Sequence, residues 1–315
     1  MNTRRNSDSR YTALDMNFST FFVLVLVATT ANAQSGLLNH PVTTDPEIVN
    51  EEYPPAMIEL TFESEGSRLN GLVYLADGPG PHPLVLLLHG FPGNEKNLDL
   101  AQAMRRSGVN VVFFHYRGSW GSGGEFGFAN SVKDVANVLA MVRDSTWAVE
   151  HRSDPSKVGI VGHSFGSFLG AKTVEGDGSI ACFANLDGWD VGAYGLEIRG
   201  NEEVIQGVIT SWESGEFGEG GPLRGEVASV VTEFVDQAES YSFESMSPSL
   251  AQVPLLIISA SRAFGATHDS LVTSIREAGA KNITEYVLDD DHSFSAHRIE
   301  LAQLLVDWQS ATCWN

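Results

Sequence analysis

A serine in a glycine-rich turn is the first residue of this sequence that could do covalent chemistry. Gly162, His163, Ser164, Phe165 and Gly166 follow the apolar run KVGIV and precede a helix-like segment. A sharp strand–turn–helix connection holds such a serine in a strained backbone conformation, and the flanking glycines avoid Cβ clashes. The hydroxyl then projects over a helix amino terminus, which favours a developing anion. The pattern predicts that Ser164 is a nucleophile.

The base that such a serine needs is predicted from chain order. His292 directly follows the last strand-like run, in the sequence YVLDDDHSF. A histidine after the final strand is the order expected for a serine held in this kind of turn. His297 is a weaker alternative, because a helix is predicted around it. Serine, histidine and a carboxylate in series would perform nucleophilic acyl transfer.

Backbone N–H groups near the serine could stabilise the negative charge of a tetrahedral intermediate. The run HGFPG follows the strand-like PLVLLL, and a loop in this position supplies one N–H in the α/β-hydrolase arrangement. The residue after the nucleophile supplies the other. We therefore predict an oxyanion hole formed by Phe91 and Phe165. His89 is predicted to make a structural hydrogen bond instead of acting as a base.

The acid that should orient His292 is harder to place. After the strand-like PLLIIS it would stand near Ala263, and the first carboxylate of that loop is Asp269, where a helix begins. Asp187, in ACFANLDGWD, directly follows the preceding strand-like run, with Asp190 three residues later. We predict Asp187 as the acid, because a position close to a strand end is held more rigidly. Asp269 is kept as the alternative.

Strand-like and helix-like segments alternate along most of the chain, which predicts the α/β class. MIELTF and LNGLVYLA read as an antiparallel pair, and six further apolar runs read as strands. Residues of helical spacing between them include Val135, Val138, Leu139 and Val142, in a helix that Asn130 or Ser131 could cap. The predicted fold is therefore an α/β-hydrolase fold, with a mostly parallel central sheet and helices on both faces.

The predicted domain organisation is one hydrolase domain with a helical insertion. Residues 34–55 form a leader segment and residues 56–315 form the domain. Residues 189–250 are rich in Gly and Glu and are too long for an ordinary connection. We interpret them as a cap or lid over the strand ends, with a surface excursion as the alternative.

The first 33 residues predict export. Arginines precede the apolar run FFVLVLVA, and Ala31-Asn32-Ala33 is a small-x-small cleavage signature. The run is too short to span a bilayer, so residues 1–33 are interpreted as a signal peptide cut after Ala33, with Met16 as an alternative start. We expect a secreted or periplasmic protein whose mature chain has no stable membrane span.

Charge and cysteine content restrict the partners. The sequence has 40 Asp and Glu against 19 Lys and Arg, a net charge of -21, so nucleic acid would be repelled. No Cys/His cluster has metal-ligand spacing, and we expect no metal and no cofactor. An exported chain permits a Cys182–Cys313 disulfide. However, the apolar run around Cys182 favours an unpaired core thiol, and the pairing is left open.

Several motifs together resemble the plasma-type platelet-activating-factor acetylhydrolases. GHSFG is followed by LDGW after the next strand, then by PLLIIS and a late histidine, over roughly residues 83–294. That family carries its aspartate in an LDAW-like motif, so the resemblance implies a triad of Ser164, Asp187 and His292. HYRGSWGSGGEFGF is instead similar to dienelactone hydrolases and prolyl-oligopeptidase-like enzymes, and residues 189–250 match neither group.

The motifs lead to one main functional hypothesis and two alternatives. The main one is a secreted serine hydrolase of carboxylic esters, acting without a cofactor on a small-molecule or lipid ester, with lipid esters and short acyl esters as the two candidate classes. The first alternative is an exported prolyl-oligopeptidase-like peptidase, which the short segment before His82 disfavours, because it cannot form a β-propeller. The second alternative is a non-catalytic binding module, which the presence of both Ser164 and His292 disfavours.

Overall fold

The computed structural model describes residues 40–314, and within them eight strands form a single sheet. In chain order the strands are β1 (Ala56–Ser64), β2 (Ser67–Leu75), β3 (His82–Leu88), β4 (Asn110–Phe114), β5 (Ser153–His163), β6 (Phe183–Leu186), β7 (Leu255–Ala260) and β8 (Ile283–Leu288). The predicted signal peptide, its cleavage after Ala33 and the first part of the 34–55 leader lie outside the described residues.

The sheet has the order β1-β2-β4-β3-β5-β6-β7-β8. Strand β2 pairs antiparallel with β1 and with β4, and all further neighbours are parallel. This confirms the predicted mostly parallel sheet and the antiparallel pair at its start. In such a sheet, ligands bind beyond the carboxyl ends of the parallel strands.

Helices connect the strands on both faces of the sheet. They are α1 (Leu98–Arg106), α2 (Phe128–Arg143), α3 (Ser145–Glu150), α4 (Phe165–Gly176), α5 (Val191–Ile198), α6 (Glu202–Ser214), α7 (Val227–Asp236), α8 (Ala238–Tyr241), α9 (Phe243–Leu250), α10 (His268–Glu277) and α11 (Arg298–Thr312), with a 3-10 helix at Phe264–Thr267. Helices α5 to α9 form an insertion between β6 and β7, within the segment predicted as a cap.

The central strands are buried on both faces, which explains their continuous apolar sequences. Leu84, Leu86 and Leu88 of β3 belong to one apolar cluster, which also contains residues of α2 and α4. Val85 and Leu87 belong to a second cluster, with residues of α1 and α11. Because successive side chains of a strand point to opposite faces, each of the strands β3 to β7 contributes to both clusters.

Helix α2 begins earlier than its sequence predicts. Its N-cap is Gly127, so the prediction of a cap at Asn130 or Ser131 is wrong. The carboxylate of Glu233, on α7, accepts hydrogen bonds from the backbone N–H groups of Phe128 and Ala129, at 3.2 and 2.5 Å. A side chain about a hundred residues away therefore satisfies the amino-terminal N–H groups, which a local capping pattern cannot show.

None of the helices between residues 40 and 314 combines the length and the apolar character that crossing a membrane would require.

A disulfide joins Cys182 to Cys313, across 131 residues of sequence. Both cysteines are buried, Cys182 just before β6 and Cys313 at the end of α11. The expectation of an unpaired core thiol at Cys182 is therefore wrong. The apolar surroundings predicted for Cys182 are present, since both cysteines belong to the cluster that also contains residues of α11. The packing of α11 on this cluster brings Cys313 next to Cys182.

Removing this disulfide should destabilise the fold without changing the site. We expect the Cys182→Ala/Cys313→Ala double variant to lose about 4 to 5 kcal/mol of free energy of unfolding, because the bridge closes a long loop in the unfolded chain. Urea denaturation of both proteins measures the difference. Equal midpoints and slopes would contradict a stabilising role for the bridge.

Candidate active site

Ser164 lies at the sharp turn between β5 and α4, with φ +57° and ψ −121°. A Cβ on Gly162 would stand 2.3 Å from the carbonyl oxygen of Gly166, and one on Gly166 would stand 2.1 Å from that of Leu88. Both distances are far below van der Waals contact, so only glycine fits at either position. The two glycines therefore let the turn approach the end of β3 and hold Ser164 in its left-handed backbone conformation.

Asp187 is fully buried directly after β6. Its backbone N–H donates to the carbonyl of Ile258 at 2.7 Å, and its Oδ1 accepts from the N–H of Ala260 at 2.9 Å. Its Oδ2 accepts from Nδ1 of His292 at 2.5 Å. The carboxylate is thus held by the end of β7 and has one oxygen for the imidazole. This leaves Nε2 as the ring nitrogen that can accept a proton.

The alternative acid, Asp269, lies in a different place. It is in the first turn of α10 and lines a groove of about 540 Å³ between α10 and the inserted helices, together with Asp190 and Phe243. Asp190 itself caps α5, because its carboxylate accepts the N–H of Ala193 at 2.9 Å. Between the two predicted acids, the structure brings Asp187 and not Asp269 to His292.

Ser164 and His292 line one small cavity of about 160 Å³. The loop after β3 forms another wall of it, from Gly90 to Glu95. This loop lies directly against the serine, since a Cβ on Gly90 would be 2.9 Å from the Cβ of Ser164. The three predicted triad residues are therefore in one place, two at the cavity and Asp187 behind His292.

The two predicted oxyanion residues flank the serine. Phe91 lines the cavity, and the loop that carries it is held by a 2.7 Å hydrogen bond from Nε1 of Trp120 to the carbonyl of Pro92. Phe165 is the first residue of α4, so its N–H is among the four that have no acceptor within the helix. The assignment of these two N–H groups to an oxyanion hole stays a prediction.

Aromatic rings cover the side of this loop that faces the insertion. The ring centroid of Phe91 is 4.6 Å from that of Trp212 on α6, 6.1 Å from Trp189 and 6.4 Å from Phe217. Phe91 is therefore packed against rings that the insertion contributes. No pattern in the sequence indicated that Trp212 would lie beside Phe91.

Buried histidines support the loop after β3. His89 is 1% exposed and donates from Nδ1 to the carbonyl of Gly90 at 2.8 Å, while its Nε2 lies 3.2 Å from Nδ1 of His115. Burial lowers the pKa of His89 to about 3 and that of His115 to about 4. His89 thus makes the structural hydrogen bond expected of it. His297 donates from Nδ1 to Asp290 at 2.9 Å.

His163 is a residue of the site that the sequence did not reveal. Its Nε2 donates to the backbone carbonyl of His292 at 2.7 Å, and the two ring centroids are 4.7 Å apart. Burial lowers its pKa to about 4, so the ring is neutral near pH 7. His163 occupies the first variable position of the G-x-S-x-G pattern, so the pattern does not predict its contact with His292.

Comparison with known proteins identifies the family. Residues 85–308 match the family model described as the alpha/beta hydrolase family, so the chain belongs to that family. A sequence comparison with curated proteins found no match. The family and the sheet order together confirm the predicted fold class.

Solved structures share this fold at low sequence identity. A thermostable carboxyl esterase from Bacillus coagulans has a TM-score of 0.63 at 13% identity, over 82% of this chain and 99% of that one. An esterase from Pyrococcus furiosus has 0.57 at 15%, over 86% and 100%. An acylaminoacyl peptidase from Pyrococcus horikoshii has 0.58 at 14%, over 83% of this chain and 42% of that one. At these identities the likeness shows the fold alone.

The contact between Asp187 and His292 predicts a large effect of one substitution. Asp187→Asn should lower the kcat of hydrolysis by on the order of 10⁴, because an amide no longer selects the Nδ1–H tautomer or stabilises the imidazolium. Asp269→Asn is the matched control and should leave kcat unchanged. Steady-state kinetics of both variants make the comparison, and the reverse ranking would place the acid after β7.

The buried histidines predict loss of stability in acid. His89, His115 and His163 have folded pKa values of about 3, 4 and 4, below the ordinary 6.5. The unfolded chain therefore binds protons first, and stability falls as the pH drops from about 6.5 towards 4, by about 1.4 kcal/mol per pH unit for each histidine. Urea denaturation across this range measures the slope, which His115→Gln should reduce. A slope unaffected by that substitution would contradict the assignment.

Proposed function

We propose that the protein is a serine hydrolase of carboxylic esters that acts through an acyl-enzyme on Ser164. The observation that carries this proposal is the 2.5 Å hydrogen bond from His292 to the buried Asp187, at a cavity that His292 shares with a serine on a strained turn. Membership of the α/β-hydrolase family supports it. The described residues contain no cluster that could hold a metal ion, and the proposed chemistry uses none.

In the proposed mechanism, Oγ of Ser164 attacks the ester carbonyl carbon while Nε2 of His292 takes its proton. Asp187 holds the imidazole and stabilises it when charged. The N–H groups of Phe91 and Phe165 stabilise the oxyanion, a contribution worth roughly 10²–10³ in rate for each donor. The leaving alcohol takes the proton from His292, and water then releases the acyl group with the same base.

We propose a short or compact apolar acyl group. The cavity at Ser164 is small, and its Phe91 wall is backed by Trp189 and Trp212, which leaves apolar surface for the acyl chain. The similarity of GHSFG and LDGW to plasma-type platelet-activating-factor acetylhydrolases supports a small-molecule or lipid ester substrate. Two structural neighbours are described as esterases.

We also propose that the protein is exported, with residues 1–33 as a signal peptide. In this proposal residues 34–55 form a leader and residues 56–315 form the domain. Residues 189–250 of the domain act as a cap. The signal-like amino terminus supports export. The Cys182–Cys313 disulfide supports it independently, because structural disulfides persist in oxidising compartments. Helices α5 to α9 are inserted after β6, and Trp212 of α6 packs against Phe91, which supports the cap.

Covalent labelling and a substrate series test the proposed activity. A fluorophosphonate should label the wild-type protein at Ser164 and leave Ser164→Ala unlabelled. Wild type should then hydrolyse p-nitrophenyl acyl esters, with kcat/KM falling as the acyl chain lengthens, and faster than aminoacyl amides. Absence of labelling would reject a serine hydrolase, and faster cleavage of the amides would favour a peptidase.

A further inference from the structure

The imidazole of His292 is more exposed than the groups that hold it. Its side chain is 37% exposed, while Asp187 is fully buried. Asp187 binds Nδ1, and His163 binds the backbone carbonyl of His292. One hydrogen bond to the ring still allows the imidazole to rotate about that bond. The ring of His163, with its centroid 4.7 Å from that of His292, restricts this rotation on one side, and a ring contact from another element would restrict it further.

Phe264 provides this contact. Its ring centroid is 4.9 Å from that of His292, with an angle of 79° between the ring planes. This is an edge-to-face arrangement, which is the favoured geometry for aromatic pairs. The side chain of Phe264 is partly exposed, at 37%, so it is an apolar ring kept at the surface beside the imidazole.

The segment that carries Phe264 follows β7 and is attached to β7 and β8. The N–H of Ser261 donates to the carbonyl of Leu288 at 2.9 Å, and that of Arg262 donates to the carbonyl of Asp290 at 3.1 Å. Gly265 lies so close to the end of β7 that a Cβ there would be 2.6 Å from the carbonyl oxygen of Ala260. The segment is therefore folded tightly against the strand ends on both sides of Phe264.

A serine–histidine–glutamate chain, in which the serine and the histidine are buried and the glutamate is partly exposed, attaches the other end of the segment. Nδ1 of His268 is 2.8 Å from Oγ of Ser259, and Nε2 of His268 is 3.4 Å from a carboxylate oxygen of Glu285. Ser259 and His268 are 6% and 4% exposed, so this is a structural connection between β7, β8 and α10, which substrate does not reach. Phe264 is thus fixed from both sides.

We propose that Phe264 is a positioning residue, which holds the imidazole of His292 in the orientation that Asp187 selects. The proposal rests on the proposed function of Ser164 and His292. It gives a role to the segment after β7, which carries no carboxylate for His292. Phe264 acts through His292 and has its effect in the transition state. There the imidazole must be oriented to transfer a proton from Ser164 to the leaving group.

Phe264→Ala should lower kcat on the order of tenfold and leave KM within about twofold, because a group that acts only in the transition state changes kcat alone. Phe264→Tyr keeps the ring and should retain wild-type kcat, whereas Phe264→Leu should give an intermediate value. Steady-state kinetics with a p-nitrophenyl ester measure all three. Thermal unfolding should show equal midpoints, and a low kcat in Phe264→Tyr would overturn the proposal.

A double-mutant cycle distinguishes positioning from contact with the substrate. Adding Phe264→Ala to Asp187→Asn should change kcat by less than about twofold, because the orientation that Phe264 supports is already lost. Tyr286→Ala is the matched control, since Tyr286 is exposed to a similar degree, 39%, on the edge strand β8. It should leave kcat unchanged. A raised KM with unchanged kcat, or the full tenfold loss in the Asp187→Asn background, would overturn the proposal.

Failure of the proposed function would be recognised separately. If the wild-type protein hydrolyses no ester, the same variants are compared by the rate at which a fluorophosphonate labels Ser164, a reaction that needs an oriented His292 but no substrate. Slower labelling of Phe264→Ala would support the positioning role on its own. Equal labelling rates would overturn it, and no labelling of wild type would overturn both proposals.

Discussion

Two backbone hydrogen bonds between the β5–α4 turn and the segment after β6 are the constraint on which the site depends. The N–H of Ser164 donates to the carbonyl of Leu186 at 3.0 Å, and the carbonyl of Ser164 accepts from the N–H of Trp189 at 3.1 Å. Asp187 lies between these two partners. The contacts that hold the serine in its strained conformation therefore also set the position of the carboxylate.

This constraint explains why the acid follows β6. The backbone on either side of position 187 is bound to the turn, and the carboxylate is held by the end of β7, through the N–H of Ala260. Among the residues that the structure describes, it forms no salt bridge to Lys or Arg, and its oxygens instead accept hydrogen bonds from Ala260 and His292. The segment after β7 is then free to carry an apolar ring.

The insertion between β6 and β7 is tied to the rest of the domain by a few specific groups. Glu233 of α7 caps α2, and it also accepts a hydrogen bond from the hydroxyl of Tyr241 at 3.0 Å. Trp212 of α6 rests on Phe91. Helix α6 is otherwise mostly exposed, with Ile209 as its buried residue. The insertion is therefore hydrogen-bonded to α2 at α7, whereas α6, which covers the loop of Phe91, buries few of its residues.

The sequence alone determined the features that depend on neighbouring residues. Continuous apolar runs specify strands buried on both faces, and glycines around Ser164 specify a turn that other residues could not form. Chain order then indicated His292. Tertiary structure decided what depends on distant residues: the choice of Asp187 over Asp269 as the partner of His292, the Cys182–Cys313 bridge, the cap of α2 by Glu233, and the ring of Phe264 beside the imidazole. These contacts join segments that are far apart in the sequence, by 131 residues for the disulfide. Local spacing and propensity cannot show which distant segments come into contact.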